Sequence, residues 1–434
     1  MHVIDESINS LQQQIQKMAD DVLQQHPNLR VSDMFDAQGH QFVDLVMEGG
    51  TMHGIALLGY IALLEKLKIR FLGIGGTSAG SIVALLLTSI GSVTDEKSAV
   101  LLNILIKKNF LDFLDGENVV NALNELSDIY ALYKQWNQSK NNIPLAFKIF
   151  TKLKSIPMLY TTLKNGYHNL GFNSGNHFTK WLTDILSEQG ISTLNDLQDR
   201  INQPIDTLYD YRSKLPIPLS EQKRKFIAVT ADITTRSKVE LPRMANLYWK
   251  DTDQVSPAEF VRCSMSIPFV FYPIIKKDLP RELDLLPFWQ QNTALHPRST
   301  EDIPESITFV DGGIMSNFPI DLFHDTSVIP KAPTFGVKLG KDHKISQTSP
   351  AGYFLMAIFE ATSSLLDYDF IKRNKDYHHL LTYIDIDSNK FSSLNFNMKI
   401  EDKISLVLLG AEEAKKFIVS FDWEHYRKLR EKEM

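Results

Sequence analysis

Apolar residues recur at steps of three and four near the start of the chain. Ile8, Leu11, Ile15, Met18 and Val22 fall on one face of an amphipathic helix predicted over residues 5–25. The stretch "DAQGHQ" (36–41) then marks a turn, and the apolar run "FVDLVM" (42–47) predicts the first buried strand. A glycine-rich "EGGTMHG" opens a helical "IALLGYIALLEKL"; the apolar stretch "RFLGIGG" follows and passes through a tight turn into the helical "SIVALLLTSI". Strand, glycine loop, helix, strand, turn, helix is the order of two parallel strands joined by a right-handed crossover. Residues 98–170, rich in Leu, Ile, Phe and Lys, predict an inserted helical layer, and "NHFTKWLTDIL" (176–186) another amphipathic helix. "KFIAVTADI" (225–233) reads as a strand, and "SPAEFVRCSMSIPFVFYPI" as a helix leading into an extended segment. The Pro-rich, polar stretch 278–306 predicts a long loop excursion. "SITFVDGGIMSNFPID" (306–321) is a strand running into a glycine turn, and "TFGVKLG" (334–340) one more strand. The pattern is that of an α/β fold without internal repeats.

Composition narrows the function classes. The 434 residues carry a formal net charge of -6, so overall electrostatics give a nucleic-acid partner no support. A single cysteine, Cys263, can form no internal disulfide and no cysteine-pair zinc site, which fits a reducing, cytoplasmic compartment. The first residues, "MHVIDESINSLQQQIQKMADDV", lack the basic and apolar regions of a signal peptide. No uncharged apolar stretch of about 18–20 residues, the length of a spanning helix, occurs. A soluble protein able to lie peripherally on a membrane is expected, with no metal and no cofactor.

The candidate chemistry centres on "GIGGTSAGSIVALLL". Gly76, Ser78 and Gly80 form a G-x-S-x-G turn between a predicted strand and a predicted helix, where a serine can sit on a sharp corner facing helical amides. Ser78 is either a nucleophile there or a small residue filling a tight turn. The preceding loop ends a neighbouring parallel strand, so the backbone amides of Gly50 and Thr51 can form an oxyanion hole; close helix–sheet packing is the other reading. Neither a P-loop nor a complete G-x-G-x-x-G is present. For the base, His324, His343, His378, His379 and His425 follow Ser78 in a triad order, but none has a distinctive setting. Asp311 ends the strand "SITFV" before Gly312 and Gly313, where a carboxylate can be held at a carboxyl-terminal strand end; capping a turn is its alternative role. An aspartate in an apolar pocket can take the hydroxyl proton directly.

"LVMEGGTMHGIALLGYIALLEKL", "GIGGTSAGSIVALL", "RCSMSIPFVFYPI" and "FVDGGIMSNFPI" resemble, in order and spacing, the motif blocks of patatin-like phospholipases. "SFDWEHYRKL", after the helical "KISLVLLGAEEAKKFI", resembles the family's closing segment. The resemblance implies a three-layer α/β/α domain with a mostly parallel central sheet over residues 39–421. It would follow a helical extension (1–38) and precede a charged tail (422–434). It also implies a Ser78/Asp311 dyad without catalytic histidine or metal. The oxyanion hole would be drawn from Gly49, Gly50 and Thr51, with Gly54 closing the loop, and the substrate would be an acyl ester of a phospholipid or lysophospholipid. The sequence departs from the family at Thr51, usually glycine, and at His53, usually Arg or Lys. Lys107, Lys108, Lys148, Lys152, Lys154 and Lys164, among apolar residues, are either a lipid-facing basic surface or a solvated face. Two alternatives remain: a lipid- or partner-binding module without chemistry, motivated by Thr51 and His53, and an effector phospholipase that waits for an activating partner or small-molecule signal, motivated by the N-terminal helix and the insertions.

Overall fold

The structure, a computed structural model, describes residues 2–116, 168–222, 224–325, 327–340, 367–388 and 390–433. Its helices are α1 (His2–Gln25), α2 (Ile55–Lys66), α3 (Ala79–Ser89), α4 (Ser98–Lys107), α5 (Asn176–Glu188), α6 (Leu194–Ile201), α7 (Pro257–Ser264), α8 (Leu286–Asn292), α9 (Ile400–Ser420) and α10 (Trp423–Glu433). The strands are β1 (Met34–Phe35), β2 (Gln41–Met47), β3 (Ile69–Thr77), β4 (Gly171–Asn173), β5 (Tyr209–Asp210), β6 (Lys225–Asp232), β7 (Ser237–Leu241), β8 (Phe269–Phe271), β9 (Ile274–Lys277), β10 (Ser306–Asp311), β11 (Thr334–Leu339) and β12 (Leu381–Ile384).

Ten strands form one mixed sheet in the order β12-β11-β2-β3-β6-β10-β9, with β1, β5 and β7 off that path. The run from β12 to β6 is parallel throughout. β2 and β3 are buried over nearly their whole length, as strands of a parallel sheet covered on both faces must be. Along that path β10 alone runs the other way, antiparallel to both of its neighbours, β6 and β9. β4 and β8 make a separate two-stranded parallel ribbon.

The partners of β6 fix how β10 is seated. Ala228 and Val229 pair with both β3 and β7, so those two strands occupy opposite edges of β6. Thr230, Ala231 and Asp232 pair with both β7 and β10, which therefore also occupy opposite edges. β3 and β10 thus share one edge and run head to head along it. Thr77 is level with Val229, and Asp311 with the next residue, Thr230. The expected carboxyl-terminal rim of a parallel sheet is therefore replaced, at Asp311, by an antiparallel strand that ends against the end of β3.

The region 1–38, expected as an extension, is built into the main body. The apolar stripe Ile8, Leu11, Ile15, Ala19 and Val22 of α1 is buried in the principal core, packed on α2 and α9, and β1 adds to the sheet. Residues 278–306, expected as a loop excursion, contain α8, because the burial of Trp289 gives that segment a core contact. The stretch 422–434, expected as a charged tail, contains the helix α10 (Trp423–Glu433). Its Trp423, Tyr426 and Arg430 are buried, and its charges are matched across the fold: Arg427 pairs with the buried Asp33, and Arg430 with the buried Asp376 at 3.3 Å. Of the expected helical insertion, α4 and a short turn at Phe110–Phe113 are described; residues 117–167, with Lys148, Lys152, Lys154 and Lys164, lie outside the described residues. No helix among the described residues is long and apolar enough to cross a membrane.

If α1 is core rather than appendage, truncating its buried face will cost as much as truncating any core residue. Leu11→Ala is expected to lower the unfolding free energy by about 2–5 kcal/mol. Leu23→Ala, on the same helix but 40% exposed, should cost well under half as much; urea denaturation of both variants measures the contrast, and equal small effects would mean that α1 is not part of the core.

Candidate active site

β3 ends at Thr77 and α3 begins at Ala79, so Ser78 alone makes the corner, with φ 51° and ψ −118°. An L-residue holds such a backbone only where its surroundings over-determine it. Here the Ser78 N–H donates to Ser264 Oγ at 2.9 Å, and the Ser264 hydroxyl donates onward to the Val229 carbonyl at 2.6 Å. On the other side the Ser78 carbonyl accepts from the amides of Ser81 and Ile82, which starts α3. The two flanking glycines are required by contact: a Cβ on Gly80 would stand 2.4 Å from the Met47 carbonyl oxygen, and one on Gly76 2.7 Å from the same atom. Without side chains they let the corner press onto the end of β2.

That end of β2 runs into the loop Gly49–Thr51. The Gly49 N–H is already used: it donates to the Asn317 carbonyl at 2.9 Å, and Asn317 Nδ2 donates back to the Gly49 carbonyl at 3.1 Å. Gly49 is therefore expected to serve by proximity, its amide being occupied; a Cβ there would lie 3.2 Å from Ser78 Cβ. The amides of Gly50 and Thr51 have no hydrogen-bond acceptor among the described residues. Thr51 has φ 49°, the left-handed backbone for which glycine is the easier occupant, and it begins the short turn that leads into α2. Two unpaired amides at a helix entrance are free to donate to a developing negative charge. His53 is buried and turned to bracing: its Nε2 donates to the Phe391 carbonyl at 2.7 Å, while the Met52 amide donates to that of Ser393 at 3.1 Å.

Asp311 is buried at the junction of β10 with β3. Its amide donates to the Ser266 carbonyl at 2.9 Å, and its Oδ1 accepts from the Gly313 amide at 2.8 Å. Oδ2 has no full hydrogen bond. Burial pushes the Asp311 pKa up to about 6, against the opposing pull of the Ser78 hydroxyl and the Gly313 amide. A carboxylate that is ionised near neutral pH yet basic enough to accept a proton is what a direct Ser–Asp transfer requires. Other partners engage three of the five histidines: His324 Nδ1 lies 2.7 Å from the Tyr377 hydroxyl, and His379 packs edge-on against His425. Among the described residues no three His, Cys, Asp or Glu side chains converge as metal ligands would.

Three supporting residues carry no sequence signal of their own. Ser264 lies within "RCSMS" and Asn317 within "SNFP", stretches whose resemblance marks a motif without revealing what each side chain touches. Asp367 is farther still from any motif. It accepts from Ser316 Oγ and from the Phe318 amide, both at 2.6 Å, and burial pushes its pKa up to about 7 despite those bonds. Ser316 in turn accepts from Thr77 Oγ1 at 2.8 Å through its carbonyl. Asp367 thus braces the segment that holds both Gly49 and the end of β3.

Two outcomes are expected. Ser264→Ala leaves the Ser78 amide and the Val229 carbonyl unpaired in a buried place and should cost about 1–3 kcal/mol in chemical denaturation; a neutral effect would show that Ser78 is held without it. Asp311, with an ordinary value of 3.8, keeps its proton more tightly in the folded chain than in the unfolded one. Its contribution favours the native state at low pH and is lost, by about 3 kcal/mol, as pH rises from about 4 through about 6. Asp311→Asn should accordingly be more stable than the parent at about pH 8, with the gap closing below about pH 4. A gap independent of pH would exclude Asp311 as its source.

A family model described as patatin-like phospholipase matches residues 45–324. A Bacillus subtilis (strain 168) protein described as "Uncharacterized protein YqhO" is 25% identical over 381 residues, which is 87% of this chain and 98% of that one. Among solved structures, VipD from Legionella pneumophila is similar at 16% identity and a TM-score of 0.36, over 90% of this chain and 70% of that one. The span matched by the family model exceeds half of the chain and encloses the Gly49–Thr51 loop, Ser78 and Asp311. This chain belongs to the patatin-like phospholipase family.

Proposed function

We propose that the protein is a lipid acyl hydrolase that cleaves acyl esters of phospholipids or lysophospholipids through Ser78 and Asp311. The observation that carries this reading is the buried Asp311 carboxylate, raised to about 6 and set against the hydroxyl of a strained Ser78. In the proposed reaction Ser78 Oγ attacks the ester carbonyl while its proton passes to Asp311. Charge collects on the former carbonyl oxygen, where the amides of Gly50 and Thr51 donate to it. Collapse of the tetrahedral intermediate breaks the ester C–O bond, and the departing alcohol takes the proton from Asp311. Water then attacks the acyl-Ser78 ester, Asp311 accepting its proton and returning it to Ser78 as the fatty acid leaves. Neither a metal nor a histidine is required by this sequence of steps.

Ser78→Ala and Asp311→Asn should each lower fatty-acid release from phospholipid vesicles by at least about 1,000-fold, read by lipid mass spectrometry. Retained activity in either variant would remove that residue from the dyad. Because the proposed base must be ionised, kcat/KM of the parent should rise with pH through about 6 and then level off. A fluorophosphonate probe should label Ser78 of the parent. A chain that binds lipid but neither turns it over nor takes the label would be a binding module instead.

A further inference from the structure

Beside the candidate active site stands the β4–β8 ribbon, and its amino-terminal end is chemically unusual. Leu170 immediately precedes β4 and Phe269 begins β8; Gly171 and Phe269 are directly paired, so Leu170 and Phe269 are neighbours. Both are bulky, apolar and more than half exposed, at 58% and 67%. Both also hold left-handed backbone, φ 57° and φ 67°, a conformation that such residues avoid unless the structure enforces it. An exposed apolar tip on a strained turn gains nothing within the described fold.

The ribbon is rigidly tied to the reacting groups. The buried Arg262 donates to the carbonyls of Ser174 and Tyr272, one after each strand of the ribbon, at 2.7 and 2.9 Å, and to Ser266 Oγ at 2.6 Å. Ser266 is the residue whose carbonyl receives the Asp311 amide. Three residues beyond Ser266 the chain reaches Phe269. Past the ribbon it continues into β9, where Ile275 is 54% exposed and is followed by Lys276 and Lys277. Neither lysine is ion-paired among the described residues; Lys276 lies over the Trp249 ring at 4.7 Å, and Lys277 is exposed. Exposed aliphatic and aromatic tips followed by the exposed ammonium of Lys277 are complementary to one surface in particular, an apolar layer edged with anionic head groups.

We propose that Leu170, Phe269 and Ile275, with the exposed Lys277 beside them, dock the protein on an anionic lipid bilayer and hold the Ser78 corner at its surface. The choice of a bilayer as occupant rests on the acyl-hydrolase reading of the neighbouring site. Docking places the ribbon tip among the acyl chains, and Arg262 transmits its position to the segment that supports Asp311.

The test is made in the Ser78→Ala background, so that vesicles stay intact and binding is read whether or not the parent hydrolyses lipid. With vesicles of phosphatidylcholine and phosphatidylglycerol, adding Leu170→Ser and Phe269→Ser together should lower flotation by at least about tenfold. Lys277→Gln should lower it severalfold, and only when phosphatidylglycerol is present. Cys263 is buried, its thiol pushed up to about 12, so Phe269→Cys can be labelled selectively with a polarity-sensitive dye. The dye should shift to the blue when vesicles are added. Unchanged flotation of the double serine variant would overturn the proposal. So would a dye already blue-shifted in the free protein, because another part of the chain would then cover the tip. Absence of fatty-acid release by the parent protein, with docking intact, would instead overturn the hydrolase reading alone.

Discussion

A strand offers its neighbours two rows of backbone hydrogen-bonding groups, and β6 divides one of these rows between two strands that approach from opposite directions. β3 uses the row up to Val229, and β10 uses it from Thr230. Where the two meet, neither Ser78 nor Asp311 has a ladder partner left for its own amide. Both amides find acceptors in one short stretch at the end of α7: Ser264 Oγ for Ser78 and the Ser266 carbonyl for Asp311. The distance between serine and aspartate is therefore set by backbone on both sides, and by a single turn of chain that grips both.

The site is also where the fold carries its conflicts. Ser78 and Thr51 hold left-handed backbone, and the Asp311 carboxylate is buried with one oxygen lacking a full hydrogen bond. Each feature opposes folding by an amount on the order of 1–3 kcal/mol. They persist because the surrounding core is extensive and because each conflict is boxed in: Gly76 and Gly80 admit β2 against the corner, Asn317 fastens Gly49, and Asp367 holds Asn317's neighbours.

How much of this the sequence discloses depends on whether a feature is local. The runs that became β2, β3, β6, β10 and β11 are plain in the pattern, because a buried strand must be apolar wherever it ends up, and the G-x-S-x-G corner is plain because its glycines answer to contacts within the turn. The direction of β10 is not plain, since its residues would read the same in either orientation. Nor does any periodicity say that the Gly49 amide is taken by a carbonyl 268 residues away, or that Asp367 supports the same segment. Charge patterning misleads at α10, where lysines, arginines and glutamates look solvated although Arg427 and Arg430 serve buried aspartates.

Asp33 collects three guanidinium groups, those of Arg30, Arg212 and Arg427. They are made at very different times: Arg30 just before it, Arg212 roughly midway, and Arg427 only after 394 further residues have been added. A ribosome-bound chain therefore holds this carboxylate, ready for burial, long before its last counter-ion exists. Closure of that cluster is a late event in the life of every nascent molecule, and the β1 end of the sheet reaches its final electrostatic balance only when α10 arrives.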